Sequence, residues 1–171
     1  LHDVAGAHIG LKWPNDIVAG DGKLGGLLVD VAGEADGPIS IIIGIGLNLH
    51  VPPAMAAGVV ADGGLRPVGL HALTDRIDGG RNRLAACLIG RMHQALTEFE
   101  HEGFAGFADE WHRFDVLADR PVIVHVGSRT LSGTARGIDS DGRLLLLDAS
   151  GETQRLSAGE VSLRFGDAGN I

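Results

Sequence analysis

Apolar residues in this chain fall in short blocks separated by glycine, proline and polar turns. Residues 9–13 read as a short strand stopped by Pro14, which has no N–H to give a ladder. Residues 17–19 and 24–31 flank Gly20-Asp21-Gly22, a turn-rich tripeptide, and together predict a β-hairpin. A second loop, 33–38, carries Glu34 and Asp36. Residues 39–47 form a nearly continuous β-branched run, which predicts a central strand covered on both faces. Short connections between these strands predict an antiparallel or mixed sheet.

Residues 52–76 read as irregular, with Pro52-Pro53, Gly63-Gly64 and Pro67, and a short helix near Met55. A long helix follows. Leu84, Leu88, Met92, Ala95, Leu96 and Phe99 recur at three- and four-residue steps and make one apolar face. Asn82 suits its N-cap and Gly103 its C-terminal stop. A second short helix is expected over 104–114. Beyond Asp119 the pattern changes to short strands at 122–126, 130–138, 143–148, 153–156 and 161–165. Gly127, Asp141-Gly142 and Ser150-Gly151 supply the turns, and such spacing predicts a small barrel. A domain boundary is expected near residues 116–120.

Composition narrows the class. The chain has 171 residues, 44% hydrophobic and 21% charged, within the ordinary globular range. Its formal charge of −8 gives no general basic footprint for nucleic acid. One cysteine, Cys87, allows neither an internal disulfide nor a cysteine-built zinc site. No apolar run reaches the roughly 18 residues of a membrane span. A cytoplasmic protein is the simplest expectation. The chain opens at Leu1 without a signal-type segment, and the expectation is a piece whose domain continues upstream.

Several motifs carry candidate chemistry. Gly20-Asp21-Gly22-Lys23-Leu24-Gly25 fits G-x-G-x-x-G, but that fingerprint needs a helix after it, and residues 27–31 continue as strand. The eight histidines lack H-E-x-x-H spacing. Lys12-Trp13-Pro14-Asn15-Asp16 is more unusual, although composition alone favours a polar turn with a buried Trp. Lys23 at a hairpin tip is ordinarily solvated. Gly44-Ile45-Gly46-Leu47-Asn48 is either a strand irregularity or a place where a ligand approaches the backbone, with Asn48 reading a polar edge.

Taken together, Lys12-Trp13-Pro14-Asn15-Asp16, then Gly22-Lys23-Leu24-Gly25-Gly26-Leu27-Leu28, then Ile43-Gly44-Ile45-Gly46-Leu47-Asn48 resemble the biotin protein ligase family in order and spacing. The resemblance continues through Arg81-Asn82-Arg83-Leu84-Ala85-Ala86 and Arg136-Gly137-Ile138-Asp139 to Gly159-Glu160-Val161-Ser162-Leu163-Arg164. It implies an α/β fold with a mixed β-sheet and helices on one face, like the class II aminoacyl-tRNA synthetases, over residues 1–116. An SH3-like β-barrel over 117–171 would follow.

The activity implied joins biotin to AMP using ATP and Mg2+, then passes biotin to a lysine of the biotin carboxyl carrier protein of acetyl-CoA carboxylase. Two anions must meet in the first step, and a flexible cation between them stabilises the charge that develops. Lys23 matches the family's catalytic lysine. Lys12, Asn15 and Asp16 match the adenylate side, with Asp16 a further candidate for holding the metal or orienting the acceptor amine. Gly26 and Leu28 match positions beside biotin. Gly44 and Gly46 match a close approach to the ligand, Asn48 an adenine contact, and Arg164 a reach toward the nucleotide or carrier. The family's upstream Gly-Arg-rich loop has no counterpart in these residues, so little activity is expected of the 171 residues alone. A lipoate or octanoate ligase on the same scaffold, a non-catalytic binding module and a repressor with an upstream DNA-binding domain are the rival readings. A homodimer through a sheet edge is a further expectation.

Overall fold

A computed structural model describes residues 9–33, 39–61, 64–74, 80–158 and the backbone of the strand at 161–165. These fall into two compact units divided between residues 77 and 78. No described helix is long and apolar enough to cross a membrane.

The first unit is built on four strands: β1 (Ile9–Lys12), β2 (Asp16–Ala19), β3 (Gly22–Gly33) and β4 (Ile39–Leu47). They lie side by side in chain order, every neighbouring pair antiparallel. Helix α1 (Pro53–Ala61) and a 3-10 turn (Leu70–Ala72) follow. Gly20 sits at φ 56° in the β2–β3 turn, a conformation that glycine adopts without strain. Trp13, Val18, Leu24 and Leu70 form the buried centre, Leu24 and Leu70 with no exposure at all. Truncating either leucine to alanine would cost about 2–5 kcal/mol.

Two expectations need correction here. The mixed sheet is antiparallel in every named pairing of this unit, and the one parallel element is an isolated bridge between Lys23 and Pro67. The run at 39–47 is not a central strand. It ends the described order, and Ile39, Ile41 and Ile42 are 60–68% exposed, as are Leu28 and Val31 of β3 at 62% and 68%. A β-branched run records strand preference and an appetite for burial, but not which element supplies the cover. The loop expected at 33–38 lies, after Gly33, outside the described residues.

The second unit opens with α2 (Gly80–Glu102), a 3-10 segment (Gly103–Phe107) and α3 (Ala108–Phe114). Helix α2 begins at Gly80, so Asn82 lies inside its first turn and is not the cap. Leu84, Leu88, Met92 and Ala95 are half-buried, but Leu96 and Phe99 of the same face are exposed. Gly103 leaves the helix at φ 63°, as a C-terminal stop requires.

Five strands then make one antiparallel sheet in the order β8-β7-β6-β5-β9. They are β5 (Pro121–Val126), β6 (Arg129–Ile138), β7 (Leu144–Leu147), β8 (Thr153–Leu156) and β9 (Val161–Phe165). Val122 and Val124 of β5, and Leu144 and Leu146 of β7, are buried, whereas their alternate neighbours are half-exposed. That period of two gives the sheet one inward face.

The β7–β8 connection is organised by Asp148. Its carboxylate accepts bonds from the Ser150 hydroxyl at 2.6 Å, the Gln154 amide at 3.0 Å and the Ser150 and Glu152 backbone N–H groups. The Ser150 and Gln154 bonds lead in lowering its pKa to about 2. A carboxyl depressed by folding contributes stability that is complete above its unfolded value, near 3.9, and is lost as pH falls through about 2. The thermal midpoint should therefore drop between about pH 4 and pH 2. Asp148→Asn, which cannot titrate, should flatten that part of the profile. Parallel profiles for the two proteins would remove Asp148 from the acid response.

Candidate functional site

The site grows from the register of the first sheet. Lys12 of β1 pairs with Asp16 of β2, Asp16 with Gly26 of β3, and Gly26 with Gly46 of β4. Laterally paired residues point to one side of a sheet. The row therefore presents a cation, an anion and two positions without side chains on a single face. Leu28, paired with Gly44, shares the face two residues along.

A cleft of about 660 Å³ opens over this face. Asn15, Lys23, Gly26, Leu28, Gly44, Gly46 and Asn48 line it, all of them residues expected from the sequence. Gly25, Leu27, Ile45 and Leu47 line it too. The sequence reading missed these four because their exposure to the cleft follows from strand pairing and carries no signal of its own. The volume suits a small-molecule ligand.

Lys23 is fixed at its backbone by hydrogen bonds and held at its tip by Asp16. Between Ile17 and Val18 the β2–β3 register shifts, so that Ile17 faces Gly25 while Val18 faces Lys23. The extra residue, Leu24, sends its side chain into the core, and such a bulge re-aims its neighbours. The Lys23 N–H donates to Arg66 O at 2.8 Å, and its carbonyl accepts from Val68 N at 2.9 Å and Asn48 Nδ2 at 3.1 Å. Asn48 is itself held, its own N–H donating to Leu24 O at 2.8 Å. Asn15 donates from Nδ2 to Leu27 O at 2.6 Å, and Leu27 N returns a bond to Asn15 O at 2.9 Å. The Lys23 side chain is 42% exposed and its ammonium lies 2.5 Å from Asp16 Oδ1.

Lys12 and Asp16 stand behind the cleft wall. The Lys12 ammonium is 3.4 Å from Asp16 Oδ2, and the two side chains are 6% and 14% exposed. Expected on the adenylate side, Lys12 instead faces Asp16 from a buried position. Both oxygens of Asp16 thus face ammonium groups. This donor set does not fit a resident divalent metal, and no cluster of three or more metal-binding side chains occurs among the described residues. Arg164 lies in β9, and its side chain falls outside the described residues.

The glycines of the cleft divide into two kinds. A Cβ on Gly25 would come within 2.4 Å of the Gly46 carbonyl oxygen. A Cβ on Gly46 would find nothing closer than 3.8 Å, and one on Gly44 nothing closer than 3.8 Å. Gly25 therefore serves close strand pairing, while Gly44 and Gly46 leave room in the cleft. A Cβ on Gly26 would meet Asp16 Oδ1 at 3.4 Å and Lys23 Cε at 3.5 Å, so that glycine spaces the ion pair.

Residues 119–164 match the family model described as "Biotin protein ligase C terminal domain". The "Bifunctional ligase/repressor BirA" of Escherichia coli is 35% identical over 166 residues, 96% of this chain and 49% of that protein. The "Biotin--[acetyl-CoA-carboxylase] ligase" of Paracoccus denitrificans is 31% identical over 157 residues, 91% of this chain and 63% of that protein. The chain thus spans about half to two thirds of these relatives' lengths. The structure of the Aquifex aeolicus biotin protein ligase in complex with biotin and ATP superposes with a TM-score of 0.77 at 23% identity, covering 96% of this chain and 66% of that one. The chain is related to biotin protein ligases across nearly its whole length.

The two kinds of glycine differ in what substitution should do. Gly25→Ala should lower stability by about 1–3 kcal/mol through forced separation of β3 and β4. Gly46→Ala should hold or raise it by about 0.5–1 kcal/mol, because it removes unfolded-chain freedom at an unstrained position. Denaturant midpoints of the two variants check this, and equal losses would refute the division.

Proposed function

We propose that this chain, related as it is to the biotin protein ligases, serves an ATP-dependent biotin ligase reaction at the Lys23 cleft. The observation that carries the reading is a lysine pinned at its backbone, with a half-exposed ammonium beside a cleft lined by glycine backbone. In the first step a biotin carboxylate oxygen attacks the α-phosphorus of ATP, forming the acyl–phosphate bond and expelling pyrophosphate. Lys23 stands between the two anions and stabilises the charge gathering on phosphate oxygen. Magnesium enters with ATP as part of the substrate. In the second step a lysine amine of the carrier protein attacks the acyl carbon and AMP leaves. Exclusion of water preserves the mixed anhydride between the steps.

The remaining assignments follow the same reading. Gly26, Leu28, Gly44 and Gly46 give biotin a wall of backbone and one leucine, and Asn15 and Asn48 supply amide edges to the nucleotide. Asp16 orients Lys23, and Arg164 reaches toward the nucleotide or the carrier. The four-stranded sheet belongs to a synthetase-like catalytic domain and the five-stranded sheet to an SH3-like module. A boundary at 116/117 is supported by the family match that begins at 119. The biotin carboxyl carrier protein of acetyl-CoA carboxylase is the partner that the Paracoccus relative's name suggests. The exposed Ile39, Ile41 and Ile42 favour a homodimer through the β4 edge.

Lys23→Ala in the protein expressed from its complete reading frame tests the assignment. The bonds to Arg66, Val68 and Asn48 use the Lys23 backbone, and Asp16 keeps Lys12 when the Lys23 ammonium is removed, so the variant should keep its fold. Biotin-dependent pyrophosphate release should fall by about 10²–10³-fold, the usual cost of losing one preorganised charge-stabilising group. An unchanged rate would take Lys23 out of the mechanism. Displacement of labelled biotin by lipoate would turn the substrate assignment to the lipoate class.

A further inference from the structure

The ion trio beneath the cleft is uneven in a way that the reaction can use. Asp16 divides its carboxylate, Oδ1 toward Lys23 at 2.5 Å and Oδ2 toward Lys12 at 3.4 Å. The two cations differ in freedom: the Lys23 side chain is 42% exposed, and that of Lys12 is 6% exposed. A phosphate or carboxylate in the cleft competes with Oδ1 for the Lys23 ammonium and draws it away from Asp16. Asp16, 14% exposed, would then hold a charge that water reaches poorly.

We infer that Lys12 is a positioning residue, the standing counter-ion of Asp16 that frees Lys23 for the anionic substrates. This rests on the ligase reading and deepens it. With Lys12 in place, departure of Lys23 leaves a neutral Lys12–Asp16 pair behind the wall. Without Lys12, two effects work against the reaction. Asp16 retains Lys23 more strongly, and whenever Lys23 does leave, an uncompensated carboxylate faces incoming anions. Lys12 thus acts through Asp16 and need not touch substrate. Its absence from the cleft wall agrees with that role.

A double-mutant cycle separates this role from the others. Biotinyl-adenylate formation is measured in the protein from its complete reading frame, for wild type, Lys12→Met, Asp16→Asn and the double variant. Rates are scaled to the fraction of molecules that bind biotin. Lys12→Met should slow adenylate formation by roughly tenfold, with KM for ATP little changed, and should cost almost nothing once Asp16 is already Asn. Where Lys12→Met does not yield folded protein, Lys12→Gln, which keeps a polar tip on the buried stem, serves in the same cycle. Equal losses in both backgrounds would mean a packing role and would overturn the inference. So would a raised KM for ATP that persists in the Asp16→Asn background, since that marks direct contact with the nucleotide. An active wild type with either result leaves the ligase reading standing, whereas a wild type that forms no biotinyl adenylate overturns both.

Discussion

The architecture of the site depends on one lateral row of the first sheet, Lys12–Asp16–Gly26–Gly46. Register turns four positions separated along the chain into neighbours on one face. Because the side-chain period of a strand is two, a slip of one residue would send Asp16 to the other face and leave Lys12 buried without it. Leaving one member of a buried ion pair uncompensated costs about 3–5 kcal/mol, comparable to much of a small domain's stability. The charges therefore help to enforce the register that builds the cleft, and the cleft inherits its precision from them.

The β2–β3 bulge completes the arrangement from the other side. A regular ladder would have kept Lys23 on the face of Gly25, opposite the one that carries Asp16 and Gly26. Inserting Leu24 uses the extra residue as a core anchor and leaves Lys23 beside Asp16. Arg66, Val68 and Asn48 then fix the Lys23 backbone from a segment with little regular structure. Backbone fixed in this way holds the base of the Lys23 side chain in place at the cleft, whatever its ammonium meets.

Much of this was legible in the sequence, and for identifiable reasons. Strands, turns and the long helix follow from periodicity and from glycine placement, so the short strands at 153–156 and 161–165 agree residue for residue with expectation. The cleft residues were legible because Lys-Trp-Pro-Asn-Asp and the paired glycine motifs are unusual combinations. What was not legible depends on pairing across strands. That Lys12 lies buried against Asp16 follows from the register and not from the motif. Gly25 and Gly46 look alike in sequence, yet a Cβ on the first would lie 2.4 Å from a carbonyl oxygen and one on the second 3.8 Å from another, an ordinary contact. The run at 39–47 asks for cover on both faces, and only the sheet order reveals that the described residues do not provide it.

A buried lysine at the edge of a binding cleft invites a simpler account, in which it merely offsets the charge of Asp16 in the resting protein. Lys23 already does that, at the shorter distance. A second ammonium facing the same carboxylate costs desolvation of its own. Two ammonium groups on one carboxylate suit an anion entering the cleft, where Lys23 stands half-exposed while Lys12 remains with Asp16.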